Sequence, residues 1–287
     1  MNILYCGDDK TEDGLLISIL SLLDAVEEEL HIYILTMERA PRVPVSDRAA
    51  EFLDRKVKEA GEENFVKKID VTELFDRQPP TANMETRFTP YCMLRLYADQ
   101  VPELPERILY LDNDVVCRTV GGSRKKVGQP DSLLDFYYQD MEDWELAGVP
   151  DYYGKWFFSS RPFRRDYFNS GVLLLNMKKI RQTGLFEQCR VRCAEKKMFM
   201  PDQSALNKLS ERKKRMPRRF NEQRKLHSDT VLQHFTTSFR FIPWPHTLTV
   251  KPWNTELVHE KLKLHEYDDL LAAYQSLLPQ MKGEIAA

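Results

Sequence analysis

The sequence predicts an α/β fold: a mostly parallel sheet covered by helices. Two observations lead there. The first 71 residues alternate strand-like and helix-like patterns in the order βαβαβ, which short right-handed connections turn into a parallel sheet. Further on, residues 107–111 form a compact apolar run that ends abruptly on Asp112-Asn113-Asp114, as a buried strand does when it reaches the carboxyl edge of a sheet.

Residues 2–6 are β-branched and aromatic and stop at Gly7-Asp8-Asp9. Leu15, Leu16, Ile19, Leu20, Leu22 and Leu23 then recur at helical spacing. Residues 30–36 read as the second strand. Ser46 is a good N-cap for a helix through about residue 60, and residues 65–71 read as the third strand. Met93, Leu94 and Tyr97 give residues 91–100 helical spacing, ending before Pro102. The polar, glycine-bearing residues 121–130 are expected to be a surface loop. Residues 146–149 and 171–177 read as strands, 179–197 and 202–210 as helices, and the chain is expected to close on a charged helix. No internal repeat or linker stands out. The expected organisation is one domain over residues 1–253 with a helical appendage at 254–287.

At 287 residues the chain is long enough to bury a large core without a disulfide or metal staple. Its five cysteines (Cys6, Cys92, Cys117, Cys189, Cys193) are odd in number and lack paired zinc-like spacing, so reduced, mostly buried thiols are expected. The net charge of −2 and the lack of a nucleic-acid module argue against a nucleic-acid partner. The start, MNILYCGDDK, has neither the basic n-region nor the apolar h-region of a signal peptide, and residues 15–23 are too short to span a bilayer. A cytoplasmic protein is expected.

Asp112 and Asp114 lie two apart where the chain leaves its pleat, so both can turn toward one cation. As hard oxygen ligands they suit Mn²⁺ or Mg²⁺ rather than zinc. Aspartate and asparagine are also common turn residues, and a solvated turn is the plainer alternative.

Four segments in order, LYLDNDVV (109–116), FNSGVLLLN (168–176), PDQSALN (201–207) and VKPWN (250–254), make the chain resemble glycosyltransferase family 8. These are retaining enzymes of GT-A type, among them glycogenin and bacterial lipopolysaccharide galactosyl- and glucosyltransferases. The resemblance implies a Rossmann-like mixed, mostly parallel sheet. It implies transfer of galactose or glucose from UDP-galactose or UDP-glucose to a glycan or lipid-linked saccharide, with Mn²⁺ or Mg²⁺ as cofactor. It also assigns roles. Cys6, Gly7 and Asp8 would hold the uracil base, although Asp8 and Asp9 could instead cap the following helix. Where the family often carries a base-stacking aromatic residue, this chain has Thr11. Arg95 would steady the phosphates or donor sugar, or serve as a structural ion-pair partner.

Asp112 would also touch the ribose, Asn113 beside it would belong to the donor-binding set, and Asp112 and Asp114 would bind the metal, Asp114 the more firmly. The family's metal histidine lies six residues before the lysine of its Lys-Pro-Trp motif, and no histidine stands there in this chain. His234 is the preferred third ligand, and His246 the alternative. Lys251 would hold the β-phosphate; Asn169, Asp202, Gln203 and Asp151 would surround the donor sugar. Same-face attack and double displacement through a carboxylate both remain open, and a catalytically silent nucleotide-sugar-binding relative is the rival reading. The basic residues 212–225 (Arg212, Lys213, Lys214, Arg215, Arg218, Arg219, Arg224 and Lys225) read as a solvated face, with peripheral contact to an anionic membrane as a further role.

Overall fold

The computed structural model describes residues 1–85, 90–118, 132–158, 166–240, 244 and 246–284; the loop expected at 121–130 lies outside them. Its strands are β1 (Asn2–Cys6), β2 (His31–Thr36), β3 (Phe65–Asp70), β4 (Arg107–Leu111), β5 (Val115–Cys117), β6 (Leu146–Pro150), β7 (Phe168–Asn176), β8 (Lys213–Arg215), β9 (Leu232–His234), β10 (Ser238–Arg240) and β11 (His246–Leu248). Seven of them form the central sheet in the order β3-β2-β1-β4-β7-β6-β8. Only β7 runs against its neighbours; the other adjacent pairs are parallel.

Period-two alternation puts an apolar layer on each face of this sheet. Ile3 and Tyr5, Ile32 and Ile34, Leu109 and Leu111, and Val172 and Leu174 join the layer packed on the Glu12–Ala25 helix. Leu4 and Cys6, Tyr33 and Leu35, Ile108 and Tyr110, and Leu173 and Leu175 join the opposite layer, with the Pro90–Gln100 and Leu185–Glu195 helices. A strand buried on both faces reads as a continuous apolar run, which is why β4 and β7 are visible in the sequence.

Most expected elements are present, with local differences. Ser46 caps the Asp47–Ala60 helix, its side chain accepting from the Ala49 N–H at 3.1 Å. Residues 90–100 wind as a 3₁₀ helix. The single helix expected at 179–197 is two, Met177–Thr183 and Leu185–Glu195, because Gly184 adopts φ +67°, a left-handed conformation that stops the first helix. The strand expected from residue 171 begins earlier, at Phe168, where Asn207 acts as a surrogate strand. The Asn207 Oδ1 accepts from the Phe168 N–H at 2.6 Å and its Nδ2 donates to the Phe168 carbonyl at 2.7 Å.

The basic run 212–225 is not wholly a solvated face. Lys213–Arg215 is the edge strand β8, parallel to β6, and the run then carries Asn221, Glu222 and Gln223 into the interior. Lys213 Nζ donates to the carbonyls of Asn207 (2.9 Å) and Asp166 (3.1 Å), and burial lowers its pKa. The terminal helix, Asp268–Lys282, lies against the Glu12–Ala25 helix: Tyr274 Oη donates to Asp13 at 3.2 Å and Lys282 pairs with Asp13 at 2.9 Å. All five cysteines are free, and all but the half-buried Cys92 are buried. Among the described residues no helix is long and apolar enough to cross a membrane.

Candidate active site

The site forms at the carboxyl end of β4. After Leu111 the Asp112 N–H donates to the Gly171 carbonyl of antiparallel β7 at 2.8 Å, and the Val115 N–H closes a turn onto the Asp112 carbonyl at 3.1 Å. This turn delivers both carboxylates to one side. The chain leaves it as β5, which pairs antiparallel with β9 in a register that sets Val115 opposite His234. His234 Nε2 thereby lies 3.2 Å from the Asp114 carboxylate and 3.6 Å from that of Asp112. Asp112, Asp114 and His234 can each point one ligand atom into a space where all three atoms lie within 4.8 Å of one another. His246 is not in this group; it lies exposed on β11 with Nδ1 2.6 Å from the Trp244 carbonyl.

Gly171 keeps this space open. A Cβ there would lie 2.2 Å from His234 Cε1 and 2.6 Å from Asp112 Oδ2. Gly171→Ala is therefore expected to push His234 and Asp112 apart, costing about 1–3 kcal/mol of stability, as overpacking a tight site does. Thermal melts and Mn²⁺ titration of the variant check this; an unchanged Tm together with unchanged metal affinity would contradict it.

Lys251 Nζ makes a close ion pair with Asp114 and donates to the Phe235 carbonyl at 3.3 Å. Burial alone would raise the Asp114 carboxyl, but the charges of Lys251 and His234 and their hydrogen bonds outweigh it and hold the group below its ordinary value. Asp112 is anchored from the other side. It accepts from Tyr110 Oη at 2.6 Å and from Arg95 Nη2 at 2.9 Å. Arg95 is only 3% exposed and stacks 3.9 Å over the Tyr110 ring. Its remaining donors meet the Cys92 carbonyl at 2.9 Å, the Ser170 carbonyl and the Asp202 carboxylate at 3.4 Å. The guanidinium is thus held by protein groups and fixes two carboxylates at once.

Beside this cluster lies a second. Asp151, just past β6, accepts at Oδ2 from Asn169 Nδ2 (3.0 Å) and Gln203 Nε2 (3.3 Å). Its Oδ1 accepts from the N–H groups of Tyr153 and Gly154, at 3.1 and 2.6 Å. Pro201 begins the Pro201–Leu209 helix, whose first turn aims Asp202 and Gln203 at Ser170: the Ser170 N–H donates to Gln203 Oε1 at 3.0 Å and its Oγ meets Asp202 at 3.2 Å. Burial, against the opposing charge of Arg95, leaves the Asp202 carboxyl above its ordinary value.

On the β1 side, Asn113 Nδ2 donates to the Cys6 carbonyl at 2.9 Å, while its Oδ1 is buried with no protein partner. Gly7 packs so closely that a Cβ would strike Thr11 Oγ1 at 2.0 Å. Asp8 accepts from the Lys10 N–H at 3.1 Å, capping the short turn after β1, and makes a close ion pair with Arg42.

Several neighbours carried no sequence signal of their own. Asn221 bridges the two clusters, donating to Asn169 Oδ1 at 3.0 Å with its own Oδ1 3.2 Å from His234 Nδ1. It sits in a basic run whose composition suggests a solvated face. Arg42, Ser170 and Tyr110 are likewise brought in by tertiary pairing, although Tyr110 shares a strand face with Asp112 and that periodicity could have flagged it.

The central sheet matches that of GT-A glycosyltransferases, and the chain belongs to glycosyl transferase family 8, whose family model matches residues 2–256. Among solved structures, the galactosyltransferase LgtC, in complex with donor and acceptor sugar analogues, aligns with a TM-score of 0.66 at 20% identity over 96% of each chain. The bifunctional glycosyltransferase WbbM aligns with a TM-score of 0.69 at 16% identity over all of this chain and 52% of its own. GlyE of Streptococcus pneumoniae TIGR4 aligns at 0.59 and 17% identity, covering 96% of this chain and 64% of its own. No curated protein sequence matches the chain.

Proposed function

We propose that this protein moves a hexose, galactose or glucose, from a UDP-sugar to a glycan or lipopolysaccharide-type acceptor with retention of configuration, in a metal-dependent reaction. The observation that carries this is the meeting of Asp112, Asp114, His234 and Lys251 at the end of β4, next to the Asp151–Asn169–Gln203 cluster. Two carboxylates and an imidazole around a space that only a glycine leaves open fit Mn²⁺ or Mg²⁺. When bound, the cation neutralises charge on the departing diphosphate.

The chain's own groups divide the remaining work. Lys251 exchanges its Asp114 partner for the β-phosphate, so its charge is available as the leaving group develops. Cys6, Gly7, Asp8 and Asn113 hold the nucleoside. Asp151, Asn169 and Gln203 form a prearranged hydrogen-bond set for the sugar. Asp202, already engaged by Arg95 and Ser170, supports charge at the reacting carbon rather than bonding to it, which favours same-face attack by the acceptor. The exposed basic side chains Arg212, Arg215 and Lys225 would draw an anionic acceptor or membrane face toward a cytoplasmic enzyme. Equilibrium binding of UDP tests the donor half: affinity should rise at least about tenfold with Mn²⁺, and Lys251→Ala should weaken it. Equal binding with and without Mn²⁺ would overturn the metal-dependent reading.

A further inference from the structure

Past the Lys251 segment the chain makes a second cluster of metal-ligating groups that shares no residue with the first. The Thr255–Leu257 helix runs into a wider turn, Val258–Leu262, which Lys263 stops in a left-handed conformation with φ 56°. The reversal lays the His265 ring on that of His259, centroids 4.6 Å apart and 17° from parallel. Both rings turn a nitrogen to one carboxylate, that of Asp268 at the start of the terminal helix. His259 Nε2 is 2.7 Å from Oδ1 and His265 Nδ1 is 3.3 Å from Oδ2. The three ligand atoms lie within 4.8 Å of one another.

The donor chemistry differs from that beside β4. Two nitrogens and one oxygen suit Zn²⁺ and its neighbours in the transition series, whereas oxygen-rich sets suit Mn²⁺ or Mg²⁺. An imidazole ligates metal through the lone pair of its neutral form. Three protein ligands leave a fourth position for water. The side chains of His265 and Asp268 are 65% and 50% exposed, so an ion can reach them without unfolding.

We propose that His259, His265 and Asp268 form a second divalent-cation site, selective for Zn²⁺ over Mn²⁺, that clamps the segment following Lys251 to the first turn of the terminal helix. That helix is already tied to the Glu12–Ala25 helix at its far end through Lys282 and Asp13. A bound ion at Asp268 fixes its near end and, through residues 255–259, the stretch leading back to Lys251.

The test uses the full chain carrying Asp114→Asn and His234→Gln, which disables the cluster at β4 and isolates the second site. Zn²⁺ is the probe, followed by equilibrium dialysis and thermal melts with and without chelator. One Zn²⁺ per chain should bind and raise Tm, and Mn²⁺ at the same concentration should do neither. Adding His265→Gln, an exposed position, should weaken Zn²⁺ binding at least about tenfold, since even outer-shell changes cost that much, and should abolish the Zn²⁺-dependent rise in Tm. His259→Gln should do the same, while Tm in chelator stays within about 2 °C of the parent for either variant, as expected of groups away from the core. Absence of stoichiometric Zn²⁺ binding in the parent, or binding that both substitutions leave intact, would mean a hydrogen-bonded surface cluster only and overturn the proposal. Neither outcome bears on the donor site, whose residues are already disabled.

Discussion

Asp114→Asn is expected to lower kcat/KM for sugar transfer by about 10²–10³-fold, the scale seen when one preorganised charge-stabilising group is removed. The amide keeps the shape of the side chain, so the fold should survive. What goes is the negative charge that His234 and Lys251 both face. The variant should require more Mn²⁺ for whatever activity remains. It should also change the acid limb of stability. The folded Asp114 carboxyl lies below its ordinary value of 3.8, so it stabilises the protein above that pH and loses the contribution as pH falls through the lower, folded value. Denaturation of wild type and variant between pH 5 and pH 2 should therefore show a shallower acid decline in the variant. Activity within about tenfold of wild type at saturating Mn²⁺ would exclude Asp114 from the stabilisation of the leaving group.

Arg95→Leu is expected to cost about 3–5 kcal/mol, because it strips the partner from buried Asp202 and from Asp112 and leaves the Ser170 and Cys92 carbonyls unmet. In a chain of this size that is a fall in Tm of about 5–8 °C. Arg95→Lys should recover part of the loss, since it keeps the charge but not the fork that reaches both carboxylates or the stacking on Tyr110. Calorimetry of the three proteins settles the order; a Leu variant melting within about 2 °C of wild type would contradict a structural role for the ion triad.

How much of this could be read in the sequence follows from how local each signal is. β1, β4 and β7 are visible because both faces of each are buried and the apolar runs are unbroken. The Asp112-Asn113-Asp114 turn is visible because it interrupts such a run. The meeting of His234 with that turn is legible only through the family resemblance, not from any local pattern. It depends on two three-residue strands, β5 and β9, pairing across more than a hundred residues in one register, and nothing local marks either of them. The basic run misleads for the same reason. Its composition describes a solvated face, yet β6 offers an open edge that Lys213–Arg215 fills, and Asn221 then lands between Asn169 and His234. The break at Gly184 was legible in principle, since a glycine inside a helical pattern marks a C-cap as readily as a tolerated interior residue. Asp8 shows the opposite case: the same carboxylate caps its own turn, as the local pattern suggests, and pairs with Arg42, a partner that no local pattern marks.

We propose the cluster at the end of β4 as a working, metal-dependent donor site. UDP release from UDP-galactose and UDP-glucose, with and without Mn²⁺, for wild type and Asp114→Ala, tests it most directly. Release that needs Mn²⁺, prefers one of the two sugars and vanishes in the variant is the predicted result. No release from either sugar, with no Mn²⁺-dependent nucleotide binding, would contradict it and mark the chain as a catalytically silent member of its family.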